Sequence, residues 1–77
     1  MSVTQQVHEV LRQSFGVDVR AVPADTVLHQ LRLDSLALEE FRMIIEERLA
    51  IDLREVEITS RHTVAYLVDV VNARAAS

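Results

Sequence analysis

Gly16 and Pro23 are the only glycine and the only proline in a chain of 77 residues. A turn-rich β fold needs many such residues, because glycine supplies positive φ and proline presets a turn. A chain with one of each points instead to helices joined by few breaks. The length sets the scale: residues 1–77 make one small domain. A domain of this size buries roughly 60% of its unfolded surface, which serves one core and leaves little room for a deep active site. Hydrophobic residues at 49% and charged residues at 26% give a globular balance rather than a disordered one.

Three segments carry helical periodicity. In the first, Val3, Val7, Val10, Leu11 and Phe15 recur at steps of three and four, so one face is apolar. Ser2 or Thr4 suits its N-cap, and Gly16 fits just past its end. The second runs from about Ser35 to Leu49, with Leu38, Phe41, Ile45 and Leu49 as its inward stripe and Ile44 broadening it. Asp34 or Ser35 caps it. Glu39 and Glu40 lie towards its positive end, and Arg48 at its negative end. The third runs from about Thr63 to Ala73 on Val64, Leu67, Val68 and Val71. Residues 16–34 form a connection of unusual length for so small a domain, and long connections are often functional. Asp25-Thr26 starts a short helical turn there, pinning Leu28 and Leu31 to the core. Leu53 to Ile58 reads as a loop with one short turn. The fold class is all-α: a small bundle of three to four helices with a long loop between the first and second main helices.

Composition closes several functional classes. There is no cysteine, which removes disulfides, thiolate zinc sites and cysteine nucleophiles. Acids outnumber bases 12 to 8, for a net charge of −4. Nucleic-acid binding normally needs a basic face, so no nucleic-acid partner is expected. No run approaches ~18 apolar residues, and Met1 to Phe15 lacks the apolar core of a secretory signal. The expectation is a cytoplasmic monomer with no membrane association. His8, His29 and His62 are scattered without metal-ligand spacing, and no nucleophile–base pair stands out. Tyr66 reads as packing, and Ser14 and Ser60 lack a loop-to-helix setting.

Ser35 has that setting. It stands where the long loop meets an amphipathic helix, in the run Asp34-Ser35-Leu36. Free backbone N–H groups and partial positive charge at a helix start favour a phosphate ester on such a hydroxyl. An Asp-Ser pair before a helix is, on its own, usually only a cap. The wider context adds to it. Leu31-Arg32-Leu33-Asp34-Ser35-Leu36, the helix from Ala37 to Leu49, and Thr63-Val64 at the start of the later helix together resemble the acyl carrier protein family, which includes peptidyl and aminoacyl carriers. The resemblance spans roughly residues 3 to 73.

The resemblance implies that a phosphopantetheinyl transferase moves 4′-phosphopantetheine from coenzyme A onto Ser35, with Asp34 serving the loading. The thiol then belongs to the cofactor, so the missing cysteine is no obstacle. It implies no catalytic residue and no metal site in the chain, which acts as a free-standing carrier. Expected partners are a loading ligase or acyltransferase and ketosynthase or condensation-type enzymes. Leu36, Glu40, Met43 and Glu47 lie at steps of three and four beside the inward stripe, and with Glu39 they form the expected docking face. The competing reading makes these acids, with Glu46, a solvated face tied by helical pairs to Arg42 and Arg48. Three departures from the family pattern are visible. Arg32 stands where Gly is common, Ala37 stands where fatty-acid carriers often have an acid, and Arg42 and Arg48 dilute the acidic helix. They favour polyketide or nonribosomal peptide assembly, including antibiotic biosynthesis, over fatty-acid synthesis. The alternatives are a fatty-acid carrier and an unmodified helical interaction module.

Overall fold

The structure is a computed structural model that describes residues 2–76. Its first helix, α1, spans Val3–Phe15. The geometry selects Ser2 as the cap: its hydroxyl accepts the Gln5 N–H at 3.1 Å, and Gln5 Oε1 accepts the Ser2 N–H at 2.9 Å. This reciprocal box satisfies two donors that a helix start leaves orphaned. Thr4, the other candidate, instead accepts a hydrogen bond from Asn72 Nδ2 at 3.1 Å. Gly16 ends the helix at φ 68°, in the left-handed region where a side chain costs free energy.

Helix α2 spans Ser35–Leu49 and α3 spans Val64–Ala76. The Thr63 hydroxyl accepts the Tyr66 N–H at 3.1 Å, as expected of a cap, but α3 continues three residues past the expected end at Ala73. No glycine or proline stops it there, and residues 73–76 read Ala-Arg-Ala-Ala, all strong helix formers. Helix α2 ends with Ala50 at φ 54°, a left-handed position filled without glycine.

The long connection holds two short 3₁₀ turns, Val19–Ala21 and Leu28–Leu31. The first carries no signal in the sequence pattern. Val17 and Val19 point inward while Asp18 caps the turn through the Arg20 N–H at 3.0 Å. The second begins at Leu28 rather than at Asp25-Thr26, because Val27 is held in an isolated antiparallel bridge with Thr63. Leu53 to Val56 makes a single turn, closed by Val56 N–H to Leu53 carbonyl at 3.1 Å.

The core is continuous across these elements. Val7, Val10 and Leu11 of α1 meet Leu38, Phe41 and Ile45 of α2 and Val64, Leu67 and Val71 of α3. Leu49 and Ile44 lie at its margin, only partly buried. Leu28, Leu33 and Leu53 complete it from the connections, and the last two go unmarked in the sequence pattern. Each fully buried leucine is worth about 2 kcal/mol in transfer free energy, so the loops are bound to the bundle by their own side chains.

Candidate functional site

Ser35 is the first residue of α2 and is exposed. Asp34 before it has an extended backbone, and its Oδ1 accepts the Ala37 N–H at 2.8 Å. Asp34 is thus the cap, and this leaves the Ser35 hydroxyl free of the capping role. No hydrogen bond from another described residue reaches that hydroxyl. The Ser35 and Leu36 N–H groups belong to the first turn and have no partner within the helix, which favours an anion beside them.

The backbone on either side is anchored. Leu33 is 2% exposed and Leu38 is 3% exposed, so Ser35 sits on a short exposed arc between two core side chains. Upstream, the second 3₁₀ turn is sewn to the connection before α3. Leu28 N–H donates to the His62 carbonyl and His29 N–H to the Ser60 carbonyl, both at 2.9 Å. Val64 N–H returns to the Thr26 carbonyl at 3.0 Å. His62 braces this connection. Its Nδ1 accepts the Thr59 N–H at 3.0 Å, and its ring stacks on Tyr66 at 3.8 Å between centroids. The Tyr66 hydroxyl donates to the Glu57 carbonyl at 2.5 Å, so Tyr66 serves packing as expected.

Arg32 closes the second 3₁₀ turn at φ 63° and ψ 24°. The left-handed region costs a residue with a Cβ about 1 kcal/mol, which explains why glycine suits this position.

Along α2, Leu36 is 70% exposed and Met43 is 65% exposed, the two large apolar side chains most open to solvent among the described residues. Glu39, Glu40 and Glu47 are exposed on the same helix. The expected local pairing of its acids with Arg42 and Arg48 is largely overturned. Arg42 donates through Nη1 to the Leu53 carbonyl and through Nη2 to the Val56 carbonyl at 3.1 Å. Glu46 Oε2 accepts the Leu53 N–H at 2.7 Å. Arg48 reaches across to Glu9 of α1 at 3.5 Å. Among the described acids of α2, only Glu39 keeps a helical partner, 4.0 Å from Arg42 Nε, a distance at which an exposed pair adds little. Sequence periodicity missed this because Arg42 and Glu46 bond to loop backbone, which carries no residue signature.

Among the described residues, no group of three or more His, Asp or Glu is placed to hold a metal ion, and no helix is long and apolar enough to cross a membrane. Asp52 stands apart electrically. Hydrogen bonds from the Arg54 side chain and backbone hold its carboxyl well below the usual carboxylate range.

A helical bundle with an unencumbered serine at the head of its second main helix is the form of a prosthetic-group carrier. The chain matches the family model described as phosphopantetheine attachment site over residues 5–71. It is also 32% identical over 77 residues to acyl carrier protein MbtL of Mycobacterium sp. (strain MCS), covering 99% of this chain and 86% of that protein. No solved structure gives a significant match. The chain belongs to the acyl carrier protein family, whose prosthetic group is 4′-phosphopantetheine and whose members carry substrates rather than transform them. Such carriers work with modifying and biosynthetic enzymes. The residues present fit the group: a free hydroxyl, unpaired N–H donors and an open approach coincide at Ser35.

Proposed function

We propose that Ser35 bears the phosphopantetheine arm and that the chain is loaded by a phosphopantetheinyl transferase. The single observation carrying this reading is the exposed Ser35 hydroxyl, free of partners, beside an Asp34 that already caps the helix. When bound, the group supplies a thiol that holds acyl or aminoacyl cargo as a thioester. The chain's own residues do the rest. Asp34 fixes the first turn and keeps negative charge beside the hydroxyl, where a transferase-bound cation is attracted during loading. Leu36, Glu39, Glu40, Met43 and Glu47 present an apolar and acidic face to partners with basic rims. Apolar area at Leu36 and Met43 adds contact, and the acids steer encounter.

The cargo belongs to a specialised polyketide or nonribosomal peptide pathway, with a loading ligase or acyltransferase and a ketosynthase or condensation-type enzyme as partners. Arg32 and Ala37 support this reading.

Intact mass after incubation with coenzyme A, magnesium and a broad-specificity transferase tests the attachment. The expected result is a gain of one phosphopantetheine that is absent from Ser35→Ala. A folded wild-type chain that stays unmodified beside a loaded control carrier overturns it in favour of an unmodified interaction module.

A further inference from the structure

Arg32 occupies a strained backbone position without any visible structural return from its side chain. Its backbone N–H donates to the carbonyls of His29 and Leu28, bonds that glycine would make equally well. The side chain is exposed, and its guanidinium makes no ion pair or hydrogen bond to another described residue. Strain retained at a site that does not need it for folding points to a role in function.

The surroundings indicate which role. Between Ala21 and Phe41, Arg32 is the only lysine or arginine, while Asp25, Asp34, Glu39 and Glu40 are acids. An anion added at Ser35 is therefore favoured by the free N–H groups of the α2 start but has acids as its charged neighbours in sequence, with Arg32 the one cation in that stretch. Arg32 and Ser35 are three residues apart, so their Cα atoms lie within about 10 Å, a gap that an extended arginine of about 7 Å and a phosphate projecting from Ser35 span together. Arg32 also lines an open groove of about 430 Å³. Phe15, Val17, Val22 and Leu33 line it too, with Asp18 its one acid and Arg32 its one cationic residue.

We propose that Arg32 is a positioning residue for the arm: its guanidinium pairs with the phosphodiester on Ser35 and turns the arm toward this groove. The proposal rests on Ser35 as the attachment site. Its chemistry is recognition of a phosphate monoanion by a planar fork of N–H donors.

The test compares apo and holo forms of the wild type, Arg32→Gln, Arg32→Gly and Arg32→Lys, each checked first by intact mass. Gln keeps the left-handed strain and removes the charge, Gly removes both, and Lys keeps the charge. Two readouts are followed: the NMR shift of the Arg32 side-chain Nε–H between apo and holo wild type, and the rise in unfolding midpoint on loading for every chain. The expected result is a clear Nε–H shift and a midpoint rise of a few degrees in the wild type. Lys retains part of that rise, Gln and Gly lose it, and about 0.5 M salt suppresses it. An unchanged Nε–H resonance with equal increments in wild type and Arg32→Gln overturns this proposal and leaves Ser35 standing. A wild-type chain that gains no mass overturns both readings.

Discussion

Glu46 and Glu47 are adjacent, chemically identical and on the same helix, yet they do opposite things. Glu46 turns to the flank of α2 and accepts the Leu53 N–H, beside Arg42 on the Leu53 and Val56 carbonyls. Glu47 is exposed with Met43, on the side that also carries Leu36 and Glu40. The flank uses its polar groups to satisfy backbone that the connection between α2 and α3 leaves open. The outer face commits its polar groups to the fold only through the long Glu39–Arg42 contact. One helix thus separates the polar groups that brace the fold from those left in solvent by about 100° of rotation per residue.

The largest expected break in that contrast is at Arg42. Arg42→Met keeps the apolar stem and removes both donors, leaving the Val56 carbonyl unpaired and the Leu53 carbonyl with only the Val56 N–H. The expected loss is about 2 kcal/mol, read as a fall of roughly 8–16 °C in the unfolding midpoint. A midpoint within 2 °C of the wild type, an allowance of about 0.3 kcal/mol on the same scale, would show that the clamp adds nothing.

Asp34 sits between the two roles, because it caps α2 and flanks Ser35. Asp34→Ala loses the bond to the Ala37 N–H and is expected to cost about 1 kcal/mol. Asp34→Asn keeps a capping oxygen and is expected to hold its midpoint while loading more slowly. If Asn loads at the wild-type rate and only Ala is impaired, Asp34 is a cap and nothing more.

The contrast also marks how far the sequence could be read. Three helices and their stripes were legible because each repeats apolar residues over several turns, and the place of Ser35 at the head of α2 was legible because a cap-like pair follows a long loop. The connections were not. Leu33 and Leu53 are buried as single residues, so no periodicity announces them. Arg42 and Glu46 read as members of a solvated face tied by helical pairs, and only the path of residues 50–58 shows their loop partners. Side chains that bond to backbone leave no complementary residue in the sequence to find.

On the outer face the expected effect on stability is smaller again. Leu36→Ala and Met43→Ala remove side chains that are already mostly in water, so the midpoint should stay within about 0.5 kcal/mol of the wild type. Capture by a transferase or a loading enzyme should weaken, and Glu47→Lys should slow association most at low salt. Unchanged binding in all three would remove this face from the docking surface and would place recognition elsewhere on the bundle.

The smallest effect is expected from the charged pair at the foot of the clamp. Asp52 accepts two side-chain hydrogen bonds and one backbone hydrogen bond from Arg54, and these lower its carboxyl pKa in the folded chain. A lowered folded pKa means that the stabilisation is present above the unfolded value, about 3.9, and is lost as the pH falls below it. Both partners are open to solvent, so screening keeps the contribution small. Asp52→Asn should therefore unfold at slightly lower urea than the wild type at neutral pH, and the gap should begin to narrow below about pH 4, close only as the pH falls through the still lower folded value, and shrink at high salt. Arg74 donates to the Asp52 backbone carbonyl at 2.9 Å, a bond the substitution leaves in place, so the comparison isolates the carboxylate. A gap that persists unchanged into acid would assign the effect to the local turn rather than to charge, and the flank would then owe its strength to Arg42 and Glu46 alone.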